Sequence, residues 1–327
     1  MNKATLNSEA MTRVGPGTPM GELMRQYWLP ALASSELEPD GDPVRIVLLG
    51  EKLIAFRDSS GRVGVMDHRC PHRCASLFFG RNEHDGIRCI YHGWKFDVEG
   101  KCLDIPNVSN GNEIKEKIHA KAYKALDRNG LIWVFMGPQD QVPPYPMLEA
   151  ALIPEGEASI RFVQRNCNWL QALEGDIDTS HFGFLHAGSA ELDDFQDDHP
   201  MRHTVTNRAP DYHVTDTDWG TSYGAYRLEE NGSMSWRIAN FVFPFWTQAP
   251  NSDFFTNVGV RAWVPMDDDH TMVVLISWKK SPGAYTGMPL KNGKPIPGFA
   301  PNIDYLPNTN DWYGRWRPVA RWENDYE

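Results

Sequence analysis

Cys70-Pro71-His72 and Cys89-Ile90-Tyr91-His92 lie sixteen residues apart, and each offers one thiolate and one imidazole. Two chemistries fit four such ligands. One zinc ion would take all four tetrahedrally. A two-iron, two-sulfide cluster would take both cysteines on one iron and both histidines on the other. Zinc motifs usually pair like ligands locally, whereas here each loop mixes a cysteine with a histidine. The mixture suits the cluster, because each loop must donate to both irons. Gly93 lets the backbone approach a sulfide, and Trp94 keeps water away.

A second constellation lies in the stretch from Asn166 to His186. At about 100° per residue, Glu174, Asp178 and His181 fall on one helical face, within roughly 60° of each other. His186 lies five residues on, and Gly183 between the histidines can bend the chain so that both imidazoles converge. Two histidines and a carboxylate on one face of a metal leave open positions, as in non-haem iron(II) oxygenases. Glu174 reads equally well as a solvated helix residue. His68, His84, His119, His199, His203, His213 and His270 show no comparable pattern and read as surface or structural.

The elements around these motifs divide the chain. A short amphipathic helix is expected near Met20–Trp28, ended by Pro30. Strands follow at Val44–Leu49, Leu53–Arg57, Arg62–Met66 and Gly130–Met136, with turns at Gly50 and Ser60-Gly61. Val142-Pro143-Pro144-Tyr145-Pro146 reads as a rigid linker, which places a boundary near residue 140. Residues 1–140 then form an N-terminal arm and a small all-β domain. Residues 141–327 form an α+β domain with a helix at about 167–181 and an antiparallel sheet from Tyr223–Leu228, Trp236–Phe243, Val258–Val264 and Thr271–Trp278.

Composition narrows the partners. The 327 residues carry 32 Lys and Arg against 43 Asp and Glu, a net charge of −11. Such a chain is repelled by nucleic-acid phosphate and by anionic lipid. Mean hydropathy is −0.49, and no run is apolar enough to span a bilayer. The first twenty residues hold no apolar secretory core, which points to the cytoplasm. Five cysteines are too few for a disulfide scaffold; Cys74 and Cys102 read as small buried residues.

Cys70-x-His72-x16-Cys89-x2-His92 together with Glu174-x3-Asp178-x2-His181-x4-His186 resembles the catalytic (alpha) subunit of Rieske non-haem iron aromatic-ring-hydroxylating oxygenases, most closely the phthalate dioxygenase-like branch. The resemblance covers nearly all of residues 10–327. It implies an α+β chain, with an all-β Rieske domain followed by a helix-grip-like catalytic domain whose antiparallel sheet is flanked by helices. Cys70, His72, Cys89 and His92 would hold the [2Fe-2S] cluster, and His181 and His186 a mononuclear Fe(II). Asp178 would be the buried carboxylate that bridges to a cluster histidine of a neighbouring subunit, in a trimer or stacked trimers. The resemblance puts the carboxylate ligand of the iron beyond Glu327, and neither Asp311 nor Asp325 is promoted to that role. O2 would be the co-substrate, with NADH electrons arriving through a reductase that carries flavin and its own [2Fe-2S] centre.

The expected reaction is hydroxylation of a phthalate-like or benzoate-like carboxylate, chiefly cis-dihydroxylation. A monooxygenase or O-demethylase on another small aromatic molecule is the alternative, and a zinc-bound or electron-carrier protein the non-enzyme one. An aromatic carboxylate calls for a cation in an apolar pocket, and a guanidinium fork suits it. Arg208 and Arg237 are the nominees, with Phe241–Trp246 as pocket wall.

Overall fold

A computed structural model of the chain describes residues 8–188, 190–229, 232–250, 252–294, 296, 303–306 and 311–318. Three larger antiparallel sheets and a two-stranded ribbon, Ile303–Asp304 with Arg317–Pro318, carry the described fold. The first is six-stranded, in the order Trp28–Ala33, Leu131–Phe135, Ala122–Arg128, Val63–Asp67, Glu51–Arg57, Val44–Leu48. Val44–Leu48 and Leu131–Phe135 are buried along their whole length, which explains the uninterrupted apolar run of the second; the first is broken only by the buried Arg45. A four-stranded sheet of short strands (Arg81–Glu83, Gly86–Arg88, Lys95–Phe96, Cys102–Asp104) carries the second Cys/His loop.

The third sheet is seven-stranded, in the order Ala158–Arg165, Thr271–Trp278, Gly259–Pro265, Trp246–Gln248, Met234–Val242, Gly220–Leu228, Asp211–Thr217. The helix Trp169–Ile177 lies against its middle strands. No helix among the described residues is long and apolar enough to cross a membrane.

The core runs without a break from the first sheet to the third. Trp28, Leu29 and Trp133 share one buried cluster with Trp246, Trp263 and Val274, and Trp133 sits 6.0 Å from Trp246 between ring centres. Backbone bonds stitch the same seam: Leu49 N–H donates to Pro265 O at 3.0 Å and Gly50 N–H to Met266 O at 2.7 Å. A second core (Phe56, Met66, Leu77, Phe96) sits behind the Cys/His loops. A third (Phe182, Phe195, Met201, Val205) backs the two histidines.

Two elements differ from expectation. The helix expected near Met20–Trp28 is only Pro19–Met24, and Trp28–Ala33 is a strand despite Pro30. It lies at the sheet edge with an irregularity at Pro30/Leu32, where a missing N–H is tolerated. The helix expected at 167–181 stops at Ile177.

Candidate metal centres

The first Cys/His loop begins where Val63–Asp67 runs out. Asp67 accepts the Arg69 N–H at 2.8 Å, Cys70 N–H donates to Ala75 O at 2.9 Å, and Cys74 N–H donates back to Cys70 O at 2.9 Å. The second loop closes the hairpin between Gly86–Arg88 and Lys95–Phe96. There Cys89 N–H donates to Trp94 O at 2.8 Å and Gly93 N–H to Cys89 O at 3.0 Å. Gly93 has φ +76°, and a side chain on it would meet Pro106 Cγ at 2.8 Å. Only glycine satisfies both the left-handed turn and that approach.

The loops bring like together with like. Cys70 and Cys89 are 1% and 3% exposed, with their thiols in contact. Burial pushes the Cys70 thiol up to about 12; the N–H groups of His72 and Arg73 oppose this and the neighbouring Cys89 adds to it. His72 and His92 lie 4.6 Å apart between ring centres, and His72 stacks on Trp94 at 4.4 Å and 4°. Burial and the adjacent His92 pull the His72 imidazolium below its usual range. Among the described residues, Nδ1 of His92 is buried with no hydrogen-bond partner.

A buried thiol pair is costly to ionise without a cation, and a buried ring nitrogen without a partner is what a metal would satisfy. No three His, Cys, Asp or Glu side chains among the described residues gather round one point. Thiol beside thiol and ring beside ring make a two-by-two set, which fits a two-iron cluster better than a single tetrahedral ion. Cys102 is buried as expected, whereas Cys74 is exposed: its φ of +56° turns the loop tip to solvent.

The second centre is built from the end of Trp169–Ile177. Asn168 caps this helix, accepting Leu170 N–H at 3.1 Å, while its amide donates to Thr12 O and Asp268 O. Asp178 ends it with ψ 127°, so Glu174, Asp178 and His181 do not share a helical face; Glu174 is exposed, and its carbonyl accepts Asp178 N–H at 3.1 Å. The Asp178 carboxylate instead caps the next turn. Oδ1 accepts Ser180 N–H at 2.8 Å; Oδ2 accepts His181 N–H at 3.1 Å and meets His181 Nδ1 at 2.9 Å. Partial burial would raise the carboxyl, but these bonds outweigh it and hold the group below the usual carboxylate range. Its side chain is 41% exposed in the single chain, not buried as the resemblance implies.

The one-turn helix His181–Gly183 then brings the His186 ring to 4.9 Å from the His181 ring. A Cβ on Gly183 would meet Thr204 O at 2.5 Å, so the close turn requires glycine. Asp311 receives Tyr313 N–H at 2.8 Å and pairs with Arg317; Asp325 lies outside the described residues.

Both nominated arginines border this turn. Arg208 lies over Phe184 at 4.9 Å and donates from Nε to Val205 O. Arg237 lies over Phe182 at 5.2 Å and donates from Nε and one terminal nitrogen to Pro250 O at 3.0 and 2.8 Å. Its other terminal nitrogen is buried with no hydrogen-bond partner among the described residues. Burial, then the nearby Arg227, lower its pKa to about 10.

Sequence reasoning missed the groups that brace the turn from below. Asp176 pairs with Arg261 and accepts Thr247 Oγ1–H; the Tyr223 hydroxyl donates to Ile177 O; and Ser180 Oγ meets Tyr212 OH at 2.8 Å. A lone arginine in the otherwise apolar strand Gly259–Pro265 was the available signal.

Comparison with known proteins gives two family matches. Residues 27–124 match the Rieske [2Fe-2S] domain, and residues 134–287 match the family described as LigXa C-terminal domain like. The chain is 50% identical over 323 residues to a 3-chlorobenzoate-3,4-dioxygenase oxygenase subunit of Comamonas testosteroni, covering 98% of this chain and 74% of that one. It is 38% identical to a phthalate 4,5-dioxygenase oxygenase subunit of Pseudomonas putida (82% and 62% covered) and 36% identical to a 5,5'-dehydrodivanillate O-demethylase oxygenase subunit of Sphingobium sp. (82% and 61%). The chain thus spans about three-fifths of the length of these last two.

The fold resembles dicamba monooxygenase (TM-score 0.60, 20% identity, 77% of each chain) and the terminal oxygenase of carbazole 1,9a-dioxygenase from Novosphingobium sp. KA1 (TM-score 0.57, 20% identity, 85% and 78%). The chain belongs to the Rieske non-haem iron oxygenases. It is an oxidoreductase of the [2Fe-2S] and mononuclear-iron type, which sets aside the zinc-bound and electron-carrier readings.

Proposed function

We propose that this chain is the terminal oxygenase component that hydroxylates an aromatic carboxylate, phthalate-like or benzoate-like, by cis-dihydroxylation. The observation that carries the reading is the pairing on one chain of a two-by-two Cys/His set with a converging His181–His186 pair. Cys70, Cys89, His72 and His92 hold the cluster, and His181 and His186 hold the ferrous ion. When bound, these groups store single electrons and activate O2.

The chain's own residues do the rest. Asp178 Oδ2 accepts the Nδ1–H of His181, which leaves Nε2 as the lone-pair nitrogen and fixes the ring. Asp178 remains open to solvent on its other side, and Ile90 and Tyr91 are exposed beside His92. We therefore place Asp178 against a cluster histidine of a second copy, in a trimer or stacked trimers. Residues 1–140 and 141–327 form the two functional halves, and electrons come from an NADH-dependent reductase carrying flavin and [2Fe-2S].

Arg237 supports a carboxylate. Its unpartnered nitrogen sits beside Phe182, whose ring lies 6.0 Å from that of His186, and a buried cation gains most from an anionic partner. O2 uptake with an NADH-coupled reductase, compared across phthalate, substituted benzoates and neutral arenes, tests the reading. Turnover confined to carboxylates supports it, and preference for neutral arenes overturns the pocket assignment. Product analysis separates a cis-dihydrodiol from the phenol of a monooxygenase or O-demethylase.

A further inference from the structure

The polar groups under the His181 turn form a ladder. Asp176 Oδ1 pairs with Arg261, its Oδ2 accepts Thr247 Oγ1–H at 2.5 Å, and Trp263 Nε1–H donates to the same hydroxyl at 2.8 Å. Thr247 is fully buried, and the Asp176 and Arg261 side chains are 5% and 16% exposed. One residue on, the Ile177 carbonyl accepts the Tyr223 hydroxyl; three further, Ser180 Oγ meets Tyr212. Residues 176–180 are thus tied to Trp246–Gln248, Gly259–Pro265, Gly220–Leu228 and Asp211–Thr217 in turn. Asp178 and His181 are the next groups on this pinned segment.

A buried ion pair is a poor way to gain stability, because desolvating both charges cancels most of their attraction and a well-packed apolar pair often does as well. What such a pair supplies is a fixed direction. We propose that the buried Asp176–Arg261–Thr247 network is a positioning device for the iron site, setting the end of helix Trp169–Ile177 so that Asp178 presents His181 to His186. The inference rests on the reading of His181 and His186 as iron ligands. Asp176 touches neither histidine and acts through Asp178.

The test uses the whole chain with its cluster intact and measures ferrous-ion affinity and thermal midpoint separately. The double variant Asp176→Leu/Arg261→Met replaces the pair by apolar side chains of similar volume. Its midpoint should equal or exceed that of the parent, while Fe(II) binds about tenfold more weakly, the lower end of the cost of losing an outer partner. A stable double variant that binds Fe(II) within twofold of the parent overturns the proposal. Should the double variant fail to fold, Thr247→Val carries the test. It removes one partner of Asp176 at nearly constant volume and should weaken Fe(II) binding about threefold; parental affinity there overturns the proposal as well. His186→Ala separates the two levels of inference. If it binds Fe(II) like the parent, the iron-site reading falls and this proposal with it; if it loses iron while the Asp176 variants do not, only this proposal falls.

Discussion

Asp178→Asn replaces one oxygen of a carboxylate that serves three donors. The amide can keep Oδ1 for the Ser180 N–H, but an NH2 group then faces both the His181 N–H and His181 Nδ1, which lie 3.1 and 2.9 Å from Oδ2. A neutral hydrogen bond contributes about 1 kcal/mol and a charge-assisted one about twice that. The side chains are 41% and 31% exposed, so solvent screening brings the total down to about 2 kcal/mol. That free energy orients one imidazole and an electron path, and 2 kcal/mol corresponds to roughly thirtyfold in rate. Stopped-flow absorbance of the pre-reduced cluster, mixed with substrate and O2 at saturating iron, follows the step directly. With iron kept saturating, Asp178→Asn should retain its sulfide and reoxidise roughly thirtyfold more slowly. Single-turnover kinetics equal to those of the parent would refute the role given to Asp178.

Other consequences are equally specific. Arg237→Ala should raise KM for carboxylate substrates by about 10- to 100-fold, the worth of a charge-assisted bond, with little change for neutral arenes; steady-state O2 uptake reads it, with Arg208→Ala alongside. Intact carboxylate turnover in both variants would remove the pocket assignment. Glu36→Gln breaks the buried pair with Arg315, whose side chains are 4% and 6% exposed, and should cost about 3–5 kcal/mol by denaturant melt. Glu83 is held down to about 2 by Arg88 and Arg81, which pin the second Cys/His hairpin. Its folded pKa lies below its unfolded one, so its contribution is complete above about pH 4.3 and is lost as pH falls toward 2. Acid titration of Glu83→Gln should lack that part of the transition.

The chemistry and most of the sheet were legible in the sequence because both are local. The spacing of Cys70, His72, Cys89 and His92 carries the two-by-two set, and the apolar run Thr271–Trp278 is a strand over the expected residues. The helix overran at Asp178 because a short carboxylate can turn its bonds to the following N–H groups, a competition that periodicity does not see. Asp211–Thr217 escaped notice since an edge strand exposed on both faces has no apolar alternation. The braces Asp176–Arg261 and Glu36–Arg315 join residues 85 and 279 positions apart, so only the folded chain shows them.

Iron, zinc and acid-labile sulfide in anaerobically reconstituted protein, read beside the EPR spectrum of the dithionite-reduced sample, bear most directly on the central claim. A brown protein with two sulfides per chain, the signal of a reduced histidine-ligated cluster, and loss of both in Cys89→Ser is the predicted result. A colourless protein that holds one zinc per chain and no sulfide would contradict it.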